Sequence, residues 1–345
     1  MTNTNTTLPP ERLLDLKDVN VHFELREGTV RAVNGVSYHV NRGEVLGIVG
    51  ESGSGKSVTV RSIMRLLPKN TSCDEGSILF QPEEGKQIQL DGLPSKSRKI
   101  RELRGDAIGM IFQEPMTALS PVHTIGTQIM RTILLHRNCS KKEARDRAIE
   151  LLRKVQLPRP EQLVDNYPHQ LSGGMRQRAM IALALSCDPV LLIADEPTTA
   201  LDVTTEAQIL DLLRELQAET GMSIIFITHN FGVVADIADR VAVMYLGQVV
   251  ETGTVDDIFY NPQHPYTRAL LQSVPRLGQA PVHRLKTIPG MVPDPFNVPK
   301  GCSFNPRCDF AVDGTCNVEV PPLLRFSDDQ QARCHFAGKL PEEVA

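Results

Sequence analysis

Eight consecutive residues, Gly50-Glu-Ser-Gly-Ser-Gly-Lys56-Ser57, combine three glycines, a lysine and a hydroxyl in the spacing G-x-x-x-x-G-K-[ST]. Gly50, Gly53 and Gly55 let the backbone curl until successive N–H groups face inward, which suits phosphate oxygens. Glu51, Ser52, Ser54 and Val58 complete the loop and the turn after it. A helix opening at Ser57 adds its positive end. Lys56 supplies a full charge to the terminal phosphates, and the Ser57 hydroxyl is a Mg²⁺ ligand. The plain alternative is a chance glycine-rich turn. A strand before the loop and a helix after it make that alternative poor.

A second stretch, Val190-Leu-Leu-Ile-Ala-Asp195-Glu196-Pro, reads as a buried strand ending in two acids. Asp195 is placed to hold Mg²⁺ through water, and Glu196 to polarise an attacking water. A strand that simply ends in solvated acids is the competing reading, weakened by the glycine loop. A third stretch, Leu171-Ser-Gly-Gly-Met175, opens a helix with a serine and two glycines. Ser172, Gly173 and Gly174 make a second anion site on the same chain. A cap at Ser172 alone explains the serine but not the glycine pair. One nucleotide does not easily occupy both sites of a single chain, so the economical expectation is a dimer, with one chain's 172–174 helix tip covering the phosphate held by the other.

Four of the seven cysteines, Cys302, Cys308, Cys316 and Cys334, crowd the end of the chain, while Cys73, Cys139 and Cys187 are scattered. In a chain expected to be cytosolic, such a cluster suggests metal ligation before disulfides. Four thiolates suit iron–sulfur or zinc, and the spacing does not choose between them. Unmetallated thiols stand as a third option. His335 is a weaker ligand candidate than its neighbour Cys334.

The elements that position these groups follow from hydropathy pattern. Residues 13–23 and 30–40 alternate apolar and polar positions, as half-buried strands do; 44–49 is a short apolar strand. The helix after the loop runs over 57–67, turns and short strands fill 68–105, and 107–112 is a strand. Residues 124–156 read as mostly helical, with a turn near Asn138 and a cap at Ser140. Helices are expected over 172–186 and 204–219, and strands over 190–194, 223–228 and 240–245. Strands alternating with helices imply a largely parallel sheet covered on both faces. Residues 1–12 read as disordered. Beyond about residue 260 prolines accumulate, so a boundary is placed there, followed by a short helix over 266–273 and loop-rich sequence.

Together these motifs resemble the ATPase domain of ABC transporters over about residues 13–260. The match comprises Walker A at 50–57, the Q-loop residue Gln113, the signature at 171–175, Walker B ending at Asp195, the catalytic Glu196, the D-loop Ala200-Leu-Asp202 and the switch residue His229. The resemblance implies an α/β P-loop ATPase with a RecA-like core, an antiparallel β subdomain, a helical subdomain at about 114–187, and a loop-rich, cysteine-containing extension at 261–345. It implies that Gln113 contacts Mg²⁺ and water, that His229 contacts the γ-phosphate, and that Asp202 organises a dimer seam. Phe23 fits the position that stacks on adenine, although a strand core residue would look the same. Gln113-Glu-Pro-Met-Thr-Ala-Leu-Ser-Pro121, Tyr167-Pro-His169 before the signature, and His264-Pro-Tyr-Thr-Arg-Ala-Leu-Leu with Ser273-Val-Pro275 and Ile288-Pro-Gly290 resemble the peptide and nickel importer branch. Some members of that branch carry a [4Fe–4S] cluster on such a tail.

The family resemblance implies ATP and Mg²⁺ as cofactors, and as partners a second, related ATPase chain, two permease subunits and a separate solute-binding protein outside the membrane. It places the chain at the cytoplasmic face of the cell membrane. The chain itself has 37 basic against 41 acidic residues and a net charge of −4, which offers no general affinity for nucleic acid. No apolar run approaches the roughly 18 residues of a spanning helix, and the polar start does not resemble a secretion signal, so a cytosolic chain is expected. A soluble ABC ATPase acting on DNA or ribosomes is the competing class, yet the heptad inserts, second nucleotide domain or basic surface it would need are not seen. A simple P-loop kinase would leave the 171–175 motif and His229 without a role. The cargo stays open between dipeptides, oligopeptides, nickel and other small solutes.

Overall fold

The computed structural model describes residues 8–73, 75–199, 201–273 and 287–340. The expected disorder over 1–7, Ala200 of the D-loop and the pair Val274-Pro275 lie outside the described residues. In chain order the elements are β1 (Arg12–Leu25), β2 (Gly28–Asn41), β3 (Val45–Val49), α1 (Lys56–Ile63), β4 (Thr71–Ser72), β5 (Ser77–Glu83), β6 (Lys86–Gln89), α2 (Arg98–Leu103), β7 (Ile108–Ile111), α3 (Pro115–Ala118), α4 (Ile125–His136), α5 (Lys141–Lys154), α6 (Pro160–Leu163), α7 (Gly173–Ala184), β8 (Leu191–Asp195), α8 (Val203–Thr220), β9 (Ser223–Thr228), α9 (Phe231–Ile237), β10 (Arg240–Tyr245), β11 (Gln248–Thr254), α10 (Val255–Tyr260), α11 (Pro265–Gln272), β12 (Leu323–Arg325) and β13 (Gln331–Arg333). The chain folds into two compact units, each assembled from three segments: Met1–Leu14, Val40–Glu44 and Leu79–Ile227 in the first, Asp15–His39, Val45–Ile78 and Thr228–Ala345 in the second.

In the first unit β7, β8 and β9 run parallel, with Ile108 opposite Leu191 and Leu191 opposite Ser223. Every residue of these strands is buried, which is why they read as unbroken apolar runs rather than alternations. Helices α4, α5 and α7 pack on one another. The expected turn and cap are found: α5 starts at a capping box in which Ser140 N–H donates to Glu143 at 2.7 Å and Glu143 N–H to Ser140 Oγ at 3.2 Å. Its buried residues Ala144, Ala148, Leu151 and Leu152 form one stripe. Residues 8–12 are ordered, contrary to expectation. Leu8 is buried, Gln81 Nε2 donates to the Pro9 carbonyl at 3.3 Å, and Arg42 Nε donates to that of Pro10 at 3.0 Å. Burying Leu8 and tying two proline carbonyls offsets the entropy of fixing this short polar segment. Helix α2, rich in basic residues, stands where turns and short strands are expected; its Ser97 cap accepts from Ile100 N–H, and Ile100 and Leu103 anchor it.

In the second unit β3 lies parallel to β10, and β10 antiparallel to β11, with a register shift at Val243/Met244. β13 adds to β11 and β12 to β13, both antiparallel. The core joins Val49, Val243, Tyr245, Tyr266 and Phe304. The last two strands were not expected, because three-residue strands carry too little period to be read. The shift in composition near 260 does not divide the compact units: residues 228–345 belong to one of them.

Candidate functional site

The second unit holds Phe23, residues 50–58, His229 and the four clustered cysteines; the first holds Gln113, residues 172–174, Asp195, Glu196 and Asp202. Buried β3 leads into the glycine loop. Gly50 has φ 152°, and a Cβ there would meet the Met244 carbonyl at 2.1 Å; Gly55 has φ 96°, and its Cβ would meet the Ala32 carbonyl at 2.4 Å. Only glycine satisfies both the torsions and the close approach. Lys56 is 5% exposed, and its ammonium donates to the Gly50 and Glu51 carbonyls at 2.8 and 2.9 Å. α1 begins at Lys56 and extends through Ser57 and Val58, with no acidic residue in its first turn. A cation curled over the loop, beside an uncompensated helix start, forms a cradle for anionic oxygens. Phe23 is half-buried on β1 opposite Thr71. His229 is exposed directly after β9, beside the Asn230 that caps α9.

In the first unit two of the predicted residues meet. Gln113 Nε2 donates to Glu196 Oε2 at 3.0 Å, and Thr199 Oγ1 donates to the same oxygen at 2.9 Å. Glu196 holds φ 49°, a left-handed conformation that costs a non-glycine residue energy. Its N–H donates to the Ile227 carbonyl at 3.0 Å, extending the ladder past the strand end. Asp195, one residue earlier, is 1% exposed. Thr199 is not among the residues singled out from sequence, although a hydroxyl three residues after Glu196 was a usable signal.

Ser172 caps α7 by accepting from Met175 N–H at 3.4 Å. The two glycines behind it differ. A Cβ on Gly174 would meet Thr205 Cγ2 at 2.9 Å, so α8 explains this glycine; a Cβ on Gly173 would meet nothing within 4 Å. Packing within the chain gives no reason for Gly173, which is exposed. Gln177, buried on α7, donates to the Pro197 carbonyl and so ties the signature helix to the turn that carries Glu196. Asp202 caps α8, accepting from Thr205 N–H at 2.9 Å and Thr205 Oγ1 at 2.8 Å. These hydrogen bonds hold its carboxyl below the usual range.

Cys302, Cys308, Cys316 and Cys334 line one cavity, together with Phe304 and His335. The Cys302 N–H donates to the Cys316 carbonyl at 2.8 Å. Burial, reinforced by the neighbouring cysteines, pushes the Cys308 thiol up to about 12 and that of Cys334 up to about 11. All seven cysteines are free thiols. Among the described residues no three His, Cys, Asp or Glu side chains converge on a single ion position. His335 Nε2 lies 3.0 Å from the Glu319 carbonyl, which engages the imidazole outside the thiol set.

Comparison with known proteins gives two family matches. Residues 33–199 match the family described as ABC transporter, and residues 250–316 that described as oligopeptide/dipeptide transporter, C-terminal region. The chain is 51% identical over 318 residues to the oligopeptide transport ATP-binding protein OppD of Bacillus subtilis, covering 92% of this chain and 87% of that one. It is 48% identical over 324 residues to the dipeptide transport ATP-binding protein DppD of Escherichia coli, covering 94% and 96%. Among solved structures it is similar to the dimeric structure of MJ0796, a bacterial ABC transporter cassette, with TM-score 0.62 and 31% identity over 70% of this chain and 99% of that one. No described helix is long and apolar enough to cross a membrane.

Proposed function

This chain belongs to the ATP-binding proteins of ABC transporters, in their oligopeptide/dipeptide branch, and from that premise we propose that it hydrolyses ATP to drive peptide uptake through partner permeases. The observation that carries the chemistry is the hydrogen bond from Gln113 to Glu196, with Thr199 on the same oxygen. A carboxylate oriented by two donors is a general base fixed before its substrate arrives.

Lys56 and the amides of the glycine loop bind the triphosphate, and Phe23 stacks on adenine. Glu196 orients and deprotonates the attacking water; Gln113 and Thr199 hold Glu196, and His229 steadies the γ-phosphate. Asp195 suits a Mg²⁺ ligand: a carboxylate buried like its own is stabilised by a cation, which when bound would neutralise phosphate oxygens. Gly173 and Ser172 face outward to cap the nucleotide of a second ATPase chain, a related subunit whose seam includes Asp202. The open space at Gly173 supports this reading, because a backbone bare of side chain lets a phosphate approach. Association that satisfies both ends of the triphosphate makes closure ATP-dependent. The permeases and a solute-binding protein outside the membrane complete the importer, with this chain peripheral at the cytoplasmic face of the inner membrane.

Cys302, Cys308, Cys316 and Cys334 are read as ligands of a [4Fe–4S] cluster. The four thiols line one cavity, and four cysteine thiolates are the ligand set of such a cluster. Such a group, when bound, crosslinks the tail and supplies a one-electron couple.

The decisive experiment is affinity purification from detergent-solubilised membranes. Co-purification with two hydrophobic subunits and peptide-stimulated ATP hydrolysis is expected. Recovery with ribosomes or DNA would overturn the importer reading. Lys56→Ala is expected to weaken ATP binding at least about 100-fold by removing the buried ammonium.

A further inference from the structure

Glu51 puts a carboxylate inside a loop built to hold phosphates. Left alone, that charge would oppose a triphosphate at short range. The structure answers it from far along the chain. Arg307 donates through Nη1 to Glu51 Oε2 at 2.7 Å and through Nη2 to Oε1 at 3.0 Å. This two-pronged pair fixes both charge and direction. Arg307 is 6% exposed; its Nε donates to the Pro289 carbonyl at 3.0 Å, and its guanidinium lies 5.9 Å from the centre of the Tyr245 ring. The backbone of Glu51 is held as well: its N–H donates to the hydroxyl of buried Tyr266 at 2.9 Å. Arg307 sits in the turn between Cys302 and Cys308, and Tyr266 on α11, so both grips come from beyond residue 260.

We propose that Arg307 and Tyr266 are positioning residues for ATP: acting through Glu51, the cysteine-bearing extension neutralises and braces the start of the phosphate loop and thereby sets nucleotide affinity. This rests on the reading of Gly50–Ser57 as the ATP site. The extension is then a working part of that site, and whatever breaks the Arg307–Glu51 pair is felt at the phosphates. A role confined to packing would make different demands, since it would not depend on the charge of Glu51.

The test is titration of the purified full-length chain with a ribose-labelled fluorescent ATP, with thermal melting to check folding. Arg307→Met is expected to weaken binding about tenfold, because it leaves Glu51 charged and unpaired beside the phosphates. Adding Glu51→Gln to Arg307→Met is expected to restore affinity to within about threefold of native, since the opposing charge is gone. Failure of that second change to restore binding, or native affinity in Arg307→Met alone, overturns the proposal. Tyr266→Phe removes one hydroxyl and keeps the ring; it is expected to weaken binding about threefold. It decides the matter should Arg307→Met not fold, and native affinity in folded Tyr266→Phe refutes the brace. The underlying site reading fails separately, if the native chain binds no ATP or if Lys56→Ala binds it unchanged.

Discussion

Two stretches of one compact unit, the glycine loop at 50–57 and the cysteine tail from 302 to 334, are both proposed to hold a charged group, and they would do so by opposite means. The loop uses contiguous backbone, with glycine torsions, amides and one lysine folded back on its own carbonyls. The tail uses side chains gathered from four places around one cavity, where the Cys302 N–H meets the Cys316 carbonyl and β13 leads into Cys334. A contiguous site comes with its local fold. A gathered site depends on packing and on buried polar partners elsewhere. The first should tolerate changes in the second in proportion to how few groups join them, and Glu51 is where they are joined.

The largest expected effect lies on the catalytic side. Glu196→Gln keeps the shape of the group that Gln113 and Thr199 hold but removes its basicity, so ATP turnover should fall by about 10²–10⁴. ATP should still bind, and size-exclusion chromatography should find the two ATPase chains trapped together by unhydrolysed nucleotide. Iron content should not change. Turnover at the native rate would remove the role given to Glu196, and loss of iron would break the separation between the two regions.

Cys334→Ser probes the other side. Visible absorption of anaerobically purified native protein should show iron–sulfur bands, and the variant should lose them. Its ATP affinity should stay within about threefold of native, since Arg307 and Glu51 are untouched. Absence of these bands from the native protein would remove the cluster. A large loss of ATP binding in Cys334→Ser would mean that the tail supports the loop through more than the Arg307 turn.

The same contrast governs what could be read from sequence. The residues Gly50–Ser57 were legible because their chemistry and their geometry are set by eight neighbours. Gln113 and Glu196 lie 83 residues apart, and each alone could be a solvated loop residue; order along the chain identified them, while the bond between them and the third partner Thr199 came from the fold. In the tail the thiols were legible as types. Arg307 was not: it stands between two cysteines, and its partner is 256 residues away. Glu51 likewise read as one more loop position. Strands β12 and β13 were too short for a period, and the buried polar groups around them gave no signal, because burial of Glu251 or His264 is decided by tertiary packing alone.

Those groups supply the smallest and most selective test. Glu251 is fully buried, accepts from Gln263 and His264 N–H at 2.6 and 3.0 Å, and is pushed by burial from 4.5 up to about 7. A raised carboxyl favours the neutral form in the folded state, so its contribution is complete below about 4.5 and is lost as pH rises through about 7. His264 works in the opposite sense. Burial holds its imidazole down to about 3 against an ordinary 6.5, so acid destabilises through it as the unfolded histidine takes up a proton. Between about 4.5 and 6.5 the two slopes offset, and above that window Glu251 acts alone. The melting temperature should therefore fall slightly, by about one degree, between about pH 6.5 and 8. Glu251→Gln should start lower, because its amide N–H₂ opposes a backbone donor, yet lose that alkaline fall. ATP affinity should be unaltered throughout, because the phosphate loop's contacts lie with Arg307 and Tyr266. An unchanged alkaline fall in Glu251→Gln would show that another group carries it, and a parallel loss of ATP binding would show that the polar network beneath the tail, and not only the two grips on Glu51, joins the two regions.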